Sequence, residues 1–314
     1  MTKVFVAGAS GAIGRPLVRQ LVAAGHEVTG TTRREERIEE IGAAGATAVL
    51  CDALDAEALA AAVRAASPEV VVNQLTSLPR DYNPRRASFY AETDRVRREG
   101  GHNLVEAARA AGARRLLTQS IAFLYAPEGD RVKDEEARPF ADAAGHFRGA
   151  VEAMLGHERE VAGCPDFEGL VLRYGQFYGP GTYYAPDGHI GREVSRRRFP
   201  VVGPGTGTFS FLHVEDAAAA TVAALDRGAP GIYNVVDDEP AELREWLPVY
   251  AEALGARPPR HVPVWLARLV AGGSAVQMAV ELRGASNAKA KRELAWQPRY
   301  PSWRYGFGDP VALG

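Results

Sequence analysis

Three glycines, Gly8, Gly11 and Gly14, stand three residues apart, directly after a short apolar run over residues 4–7 and directly before a segment of helical period over residues 12–24. Strand, glycine turn and helix start, in that order, form a cradle for the pyrophosphate of a dinucleotide. Gly8 allows the tight turn, Gly11 lets the backbone approach the phosphates, and Gly14 lets the helix lie close on the strand. The helix N-terminus then faces the negative charge. With Ser10, Ala12 and Ile13 between them, these are the candidate phosphate-binding residues. A second patch of chemistry ends the next apolar run: Thr32, Arg33 and Arg34. An acidic residue there would hold a ribose 2′-hydroxyl, whereas a hydroxyl and two guanidinium groups suit a 2′-phosphate. A charge-assisted hydrogen bond contributes ~1.5–3 kcal/mol. That is roughly a ten- to hundredfold preference for NADP over NAD, NADPH over NADH, with Arg33 the leading contact and Arg34 the second.

These residues need a scaffold that brings several strand ends together. Short apolar strands are predicted over residues 27–32, 46–50, 69–74, 115–120, 170–174 and 231–236, with helical segments between them. Asp55 caps an alanine-rich helix to residue 66, and a long helix is predicted over 86–111. In that long helix Phe89, Thr93, Val96, Gly100, Leu104, Ala107 and Ala111 recur at threes and fours, giving one inward face. Arg95, Arg97 and Arg98 fall off it, as a solvated basic surface. Further helices are expected over 142–161, 215–227 and 242–254. Alternating strands and helices of this kind demand a parallel sheet covered on both faces.

Composition narrows the partners. A net charge of −2 gives no sign of nucleic-acid or membrane-surface binding. The two cysteines, Cys51 and Cys164, offer neither a metal spacing nor a disulfide framework, so no metal is expected. No charged leader precedes an apolar core, and no apolar run approaches the ~20 residues of a membrane span. The expectation is a cytoplasmic protein that takes a small-molecule substrate.

Further motifs run almost the length of the chain: Asp52 after the third strand, Asn103-Leu-Val-Glu-Ala-Ala108, Arg173 with Tyr178-Gly-Pro-Gly181, His213-Val-Glu-Asp-Ala217, Tyr233-Asn-Val235 and Lys289 with Leu294-Ala-Trp296. Together with the glycine turn they resemble the extended short-chain dehydrogenase/reductases, the NAD(P)-dependent epimerase/dehydratase group. The resemblance implies an α/β fold, a Rossmann-type doubly wound parallel sheet with a smaller C-terminal substrate-binding domain. By that analogy residues 1–175 and 206–236 bind NADP, and residues 176–205 and 237–314 bind substrate. It also implies that Asp52 accepts from the adenine amino group and that Gln74, Leu75 and Thr76 lie along the cofactor, with Gln119 beside them. Tyr178 would border the nicotinamide. His213 to Asp216 would stabilise the fold where the chain re-enters the first domain, and a homodimer through the two long helices is possible.

The chain departs from that family where catalysis would lie. Relatives that move hydride carry a Ser or Thr and a Tyr-x-x-x-Lys pair, in which the tyrosine is the acid/base. Here Ile121 stands at the serine position. The Tyr-x-x-x-Lys helix reads either Ala144…Arg148 or, at a more usual distance from Arg173, Ala150…Met154. Arg97 stands where many relatives place asparagine. Replacement proton donors are sought among Ser120, Tyr125, His146 and Tyr183, with Tyr178 and Tyr184 nearby. Orientation alone can supply ~7–11 kcal/mol, more than the ~10²–10⁴-fold of a general acid. The leading expectation is therefore an NADP(H)-dependent oxidoreductase or epimerase acting on a small polar, already electrophilic molecule. A non-redox lyase or isomerase, or a catalytically silent NADP-sensing regulator, are the alternatives.

Overall fold

The computed structural model describes residues 1–79, 81, 88–141, 147–309 and 312. Its centre is a seven-stranded sheet of β1 (Lys3–Ala7), β2 (Glu27–Thr32), β3 (Thr47–Leu50), β4 (Val70–Asn73), β5 (Arg115–Ile121), β6 (Glu168–Tyr174) and β7 (Gly231–Val235). The spatial order is 3-2-1-4-5-6-7, and every pair is parallel. Strand direction of winding therefore reverses between β1 and β4, the crevice where such sheets bind ligands. All seven strands were anticipated, with ends displaced by at most two residues.

Alternation fixes the two faces. Val4, Val6, Val70 and Val72 point into one buried layer under α1 (Gly14–Ala23) and the helix Val214–Ala223. Phe5, Ala7 and Val71 point into the other, against the helices Ala56–Ala66 and Gly101–Ala110. A third, aromatic core gathers Trp246, Trp303, Tyr250, Phe209, Phe211 and Phe307 from the C-terminal half. Among the described residues no helix is long and apolar enough to cross a membrane.

The long helix anticipated over 86–111 is present but not uniform. It runs Ser88–Arg95, passes through a π-helical turn over Val96–Gly100, and resumes as Gly101–Ala110. Within that turn Arg97 faces the protein, its side chain only 15% exposed while that of Arg95 is 58% exposed. The expectation of a solvated Arg97 is thus corrected. The helix expected over 142–161 is seen as Phe147–Ala162, and the Ala144 of one Tyr-x-x-x-Lys register lies outside the described residues.

Candidate active site

β1 feeds into Gly8, whose φ is +88°. A Cβ there would stand 2.6 Å from the Gln74 carbonyl oxygen, so the turn passes β4 with no room for a side chain. At Gly14 a Cβ would lie 2.2 Å from the Gly8 carbonyl oxygen and 2.6 Å from that of Ala9, so α1 sits hard against the turn. Gly11 differs: its nearest neighbour would be the Gly8 oxygen at 3.3 Å, and the remaining space is open. The start of α1 has no capping side chain and no acid in its first turn. An open turn at an uncapped helix start fits a dinucleotide pyrophosphate, with Ser10 to Gly14 as its cradle.

The neighbouring strand ends complete one edge. Ser10 Oγ lies 2.9 Å from Thr32 Oγ1, which also accepts the Arg34 N–H at 3.2 Å. Arg33 donates to Ser77 Oγ at 3.0 Å and pairs with Glu92 at 3.5 Å, its side chain still 42% exposed. Ser77 in turn hydrogen bonds Glu92, whose carboxyl is held below its usual range by that bond and by Arg33. Asp52 accepts the Leu54 N–H at 3.0 Å on an exposed turn. The Gln74 amide donates to the Tyr174 hydroxyl at 3.1 Å, while its Oε1 is buried without a hydrogen-bond partner among the described residues. Gln119 donates to the Leu75 carbonyl at 2.9 Å, and Thr76 is exposed beside it.

The anticipated proton donors among the described residues are engaged in separate surroundings. Ser120 Oγ is buried and has no hydrogen-bond partner among the described residues. Tyr125 donates to Asn234 Oδ1 at 2.6 Å and accepts from Arg173 at 3.1 Å. Arg173 is held by Glu158 at 2.6 Å in a buried ion pair, so the Tyr125 hydroxyl belongs to a structural network. Tyr178 points away from the glycine turn. Its ring is fully buried, 5.1 Å from that of His213 and 5.2 Å from that of Phe307, and its hydroxyl lies under Gly306. The backbone that follows does reach the turn, since a Cβ on Gly181 would meet the Arg15 guanidinium at 2.5 Å. Tyr183 donates to the Pro79 carbonyl at 2.5 Å and so ties its loop to the one after β4. Tyr184 packs on Phe211 and Trp246 in the aromatic core. His146 lies outside the described residues.

Burial pushes the Tyr125 and Tyr178 phenols up, and Tyr183 up to about 12. A general acid works best with a pKa near the working pH, and these move away from it. At the serine position and in the Ala150…Met154 register of the Tyr-x-x-x-Lys helix, Ile121, Ala150 and Met154 pack with Tyr90, Phe140 and Phe147 in one apolar cluster. The residue missed by sequence periodicity is Arg97, largely buried on the helical stripe that also carries Tyr90 and Asp94. His213 and Asp216 stabilise the fold as anticipated: His213 caps the helix Val214–Ala223 and bonds the Ala312 carbonyl at 2.9 Å, and Asp216 accepts the N–H groups of Arg299 and Tyr300. Among the described residues no group of three metal-ligating side chains occurs.

Sheet order, glycine turn and the crevice between β1 and β4 define a Rossmann-type fold of the dinucleotide-binding kind. The chain belongs to the NAD dependent epimerase/dehydratase family, whose model matches residues 4–235. It is 48% identical to a 3-diazoavenalumate denitrifying reductase from a Streptomyces species, over 98% of this chain and 99% of that one. Among solved structures it resembles the Thermus thermophilus UDP-glucose 4-epimerase in complex with NAD, at 26% identity and a TM-score of 0.73, covering 99% of this chain and 97% of that one. A human epimerase family protein solved with NADPH matches at 22% identity and a TM-score of 0.74, over 98% of each chain. The chain is accordingly an oxidoreductase of the reductase and epimerase type.

Proposed function

We propose that this enzyme is an NADPH-dependent reductase that replaces a diazo group by hydrogen on a small organic acid. The observation that carries the proposal is the apolar packing of Ile121, Ala150 and Met154 where a proton-donating set would stand. A carbonyl reduction needs a proton as well as a hydride, so a site with no poised acid among its described residues suits it poorly. A diazonium carbon needs none. The balance is R–N₂⁺ plus hydride giving R–H plus N₂: a C–H bond forms, the C–N bond breaks with its pair leaving on nitrogen, and NADPH is oxidised to NADP⁺. The 48% identity to a denitrifying reductase supports the same reading.

The bound cofactor supplies the hydride, and the chain's residues orient it. The cradle of Gly8 to Gly14 takes the pyrophosphate, and Asp52 the adenine. Gln74, Leu75, Thr76 and Gln119 border the rest. Thr32, Arg33 and Arg34 take a 2′-phosphate, the basis for NADPH over NADH. Residues 1–175 and 206–236 form the cofactor domain, and 176–205 and 237–314 close over the substrate, with Tyr183 at the rim.

The test is anaerobic incubation with NADPH deuterated at its hydride position and an arene diazonium carboxylate. One N₂ released per NADPH oxidised, with deuterium on the former diazo carbon, is the expected result. NADPH consumption without N₂, or N₂ release independent of NADPH, overturns the proposal.

A further inference from the structure

Tyr90, Asp94 and Arg97 follow one another at helical spacing along a single stripe that ends in the π-turn Val96–Gly100. Tyr90 packs against Phe147, with ring centroids 6.1 Å apart, and joins the cluster of Ile121, Ala150 and Met154. Tyr90, Phe140, Phe147 and Ile121 are each only partly buried, so the cluster keeps exposed apolar surface, most of it aromatic. Arg97 comes up beside it with a side chain 15% exposed. Its one ionic contact among the described residues is Asp94, at 3.5 Å, too long for a good hydrogen bond. Asp94 Oδ1, in a residue only 6% exposed, is itself buried without a hydrogen-bond partner.

A guanidinium carries five N–H donors in a planar fork. With its side chain 15% exposed and one ionic partner at 3.5 Å, Arg97 keeps N–H donors to spare, while a largely buried charge is best held by both a counter-charge and hydrogen bonds. Burial pushes the Asp94 carboxyl up even against Arg97 and Arg98, and pushes the Arg97 guanidinium down even against Asp94. Each member of the pair is under-compensated. A second oxyanion beside Arg97 would relieve that cost, in the bidentate geometry guanidinium favours.

We propose that Arg97, braced by Asp94, is the residue that positions the substrate by binding an oxyanion carried on an aromatic ring. The inference rests on the reductase reading above and names its substrate class: an aromatic diazo acid or diazo phenolate, its ring against Tyr90 and Phe147 and its oxygen on Arg97. Carboxylate and phenolate share this chemistry, and binding assays separate them.

The test uses the NADP⁺-loaded enzyme and unreactive probes, so that it does not depend on diazo turnover: cinnamate, its uncharged amide, and para-nitrophenolate, titrated by calorimetry. A charge-assisted pair of ~1.5–3 kcal/mol corresponds to roughly a ten- to hundredfold change in affinity. Wild type should bind cinnamate or nitrophenolate that much more tightly than cinnamamide. R97L should lose the difference, bind the amide as before and keep its NADPH affinity. R97K, which keeps the charge and removes the fork, should retain part of the preference and serves if R97L does not fold. Equal binding of acid and amide by wild type overturns the proposal. So does a matching loss of NADPH affinity in the Arg97 variants, which would assign Arg97 to the cofactor. Failure of diazo reduction with a preserved, Arg97-dependent oxyanion preference would instead count against the reaction alone.

Discussion

Arg33 is the proposed contact of the 2′-phosphate, and the structure shows what already engages it. Its guanidinium already touches Ser77 and Glu92, but on a 42% exposed side chain beside water. Exposed pairs of this kind contribute about 0–1 kcal/mol, so Glu92 does little to hold Arg33 back from a phosphate. R33A is therefore expected to weaken NADPH by roughly ten- to hundredfold and NADH by little, measured by fluorescence titration of each cofactor. Equal losses for both would remove Arg33 from the 2′-phosphate. Tyr183 argues the opposite way. With its phenol pushed up to about 12 and its hydrogen given to the Pro79 carbonyl, it makes a poor acid near neutrality. Y183F should keep kcat within a few-fold and alter KM if the loop loosens; a loss near the ~10²–10⁴-fold of a general acid would make Tyr183 catalytic. The Arg173–Glu158 pair is a structural matter. E158A strands a buried guanidinium and should cost about 3–5 kcal/mol in urea unfolding.

Between β1 and α1 the glycines divide the work of one element, and a pair of substitutions separates the parts. A methyl on Gly14 would run into two backbone oxygens, at 2.2 and 2.6 Å, so G14A must push α1 off the turn. Overpacking of this kind costs typically ~1–3 kcal/mol, and G14A should melt lower even without cofactor. Gly11 faces open space beyond one oxygen at 3.3 Å. G11A should fold with nearly wild-type stability yet lose most of the NADPH-induced rise in Tm, because its methyl would occupy the space proposed for the phosphate. A G11A protein that binds NADPH normally would remove the pyrophosphate from this turn. The same elements show what the sequence could reveal. Buried parallel strands are uninterrupted apolar runs such as Val70-Val71-Val72, and glycine punctuates the turn, so sheet and glycine turn were readable residue by residue. The π-turn was not, because Asp94-Arg95-Val96-Arg97 fits an ordinary helix equally well. Tyr178 was misread for a related reason: pairing of Gln176–Tyr178 with Phe211–His213 sends its side chain into the aromatic core while the following glycines carry the backbone back to α1.

Across the whole molecule the C-terminal segment is strapped onto the cofactor-binding sheet by three titratable groups. His213 donates from Nε2 to the Ala312 carbonyl and accepts the Glu215 N–H at Nδ1, 3.2 Å away, which requires a neutral ring. Asp216 holds the Arg299 and Tyr300 N–H groups, and Asp237 holds that of Trp303 at 2.8 Å. Burial depresses the His213 pKa, so its contribution to stability is present above the unfolded value of ~6.5 and is lost as pH falls through the folded value. Burial raises both carboxyls, Asp237 well above the usual range. Their contribution has the opposite sign: it is fully present below the unfolded aspartate value of ~3.9 and is lost as pH rises through the folded values. The histidine must therefore be isolated by difference. In H213Q the amide can still donate to Ala312 and accept from Glu215, but it cannot be protonated in this range. Wild type should lose stability more steeply than H213Q as pH falls from neutrality through and below ~6.5, with earlier amide exchange over residues 299–309. Parallel melting curves for the two proteins across that window would show that His213 is not the pH-sensitive tie of the strap.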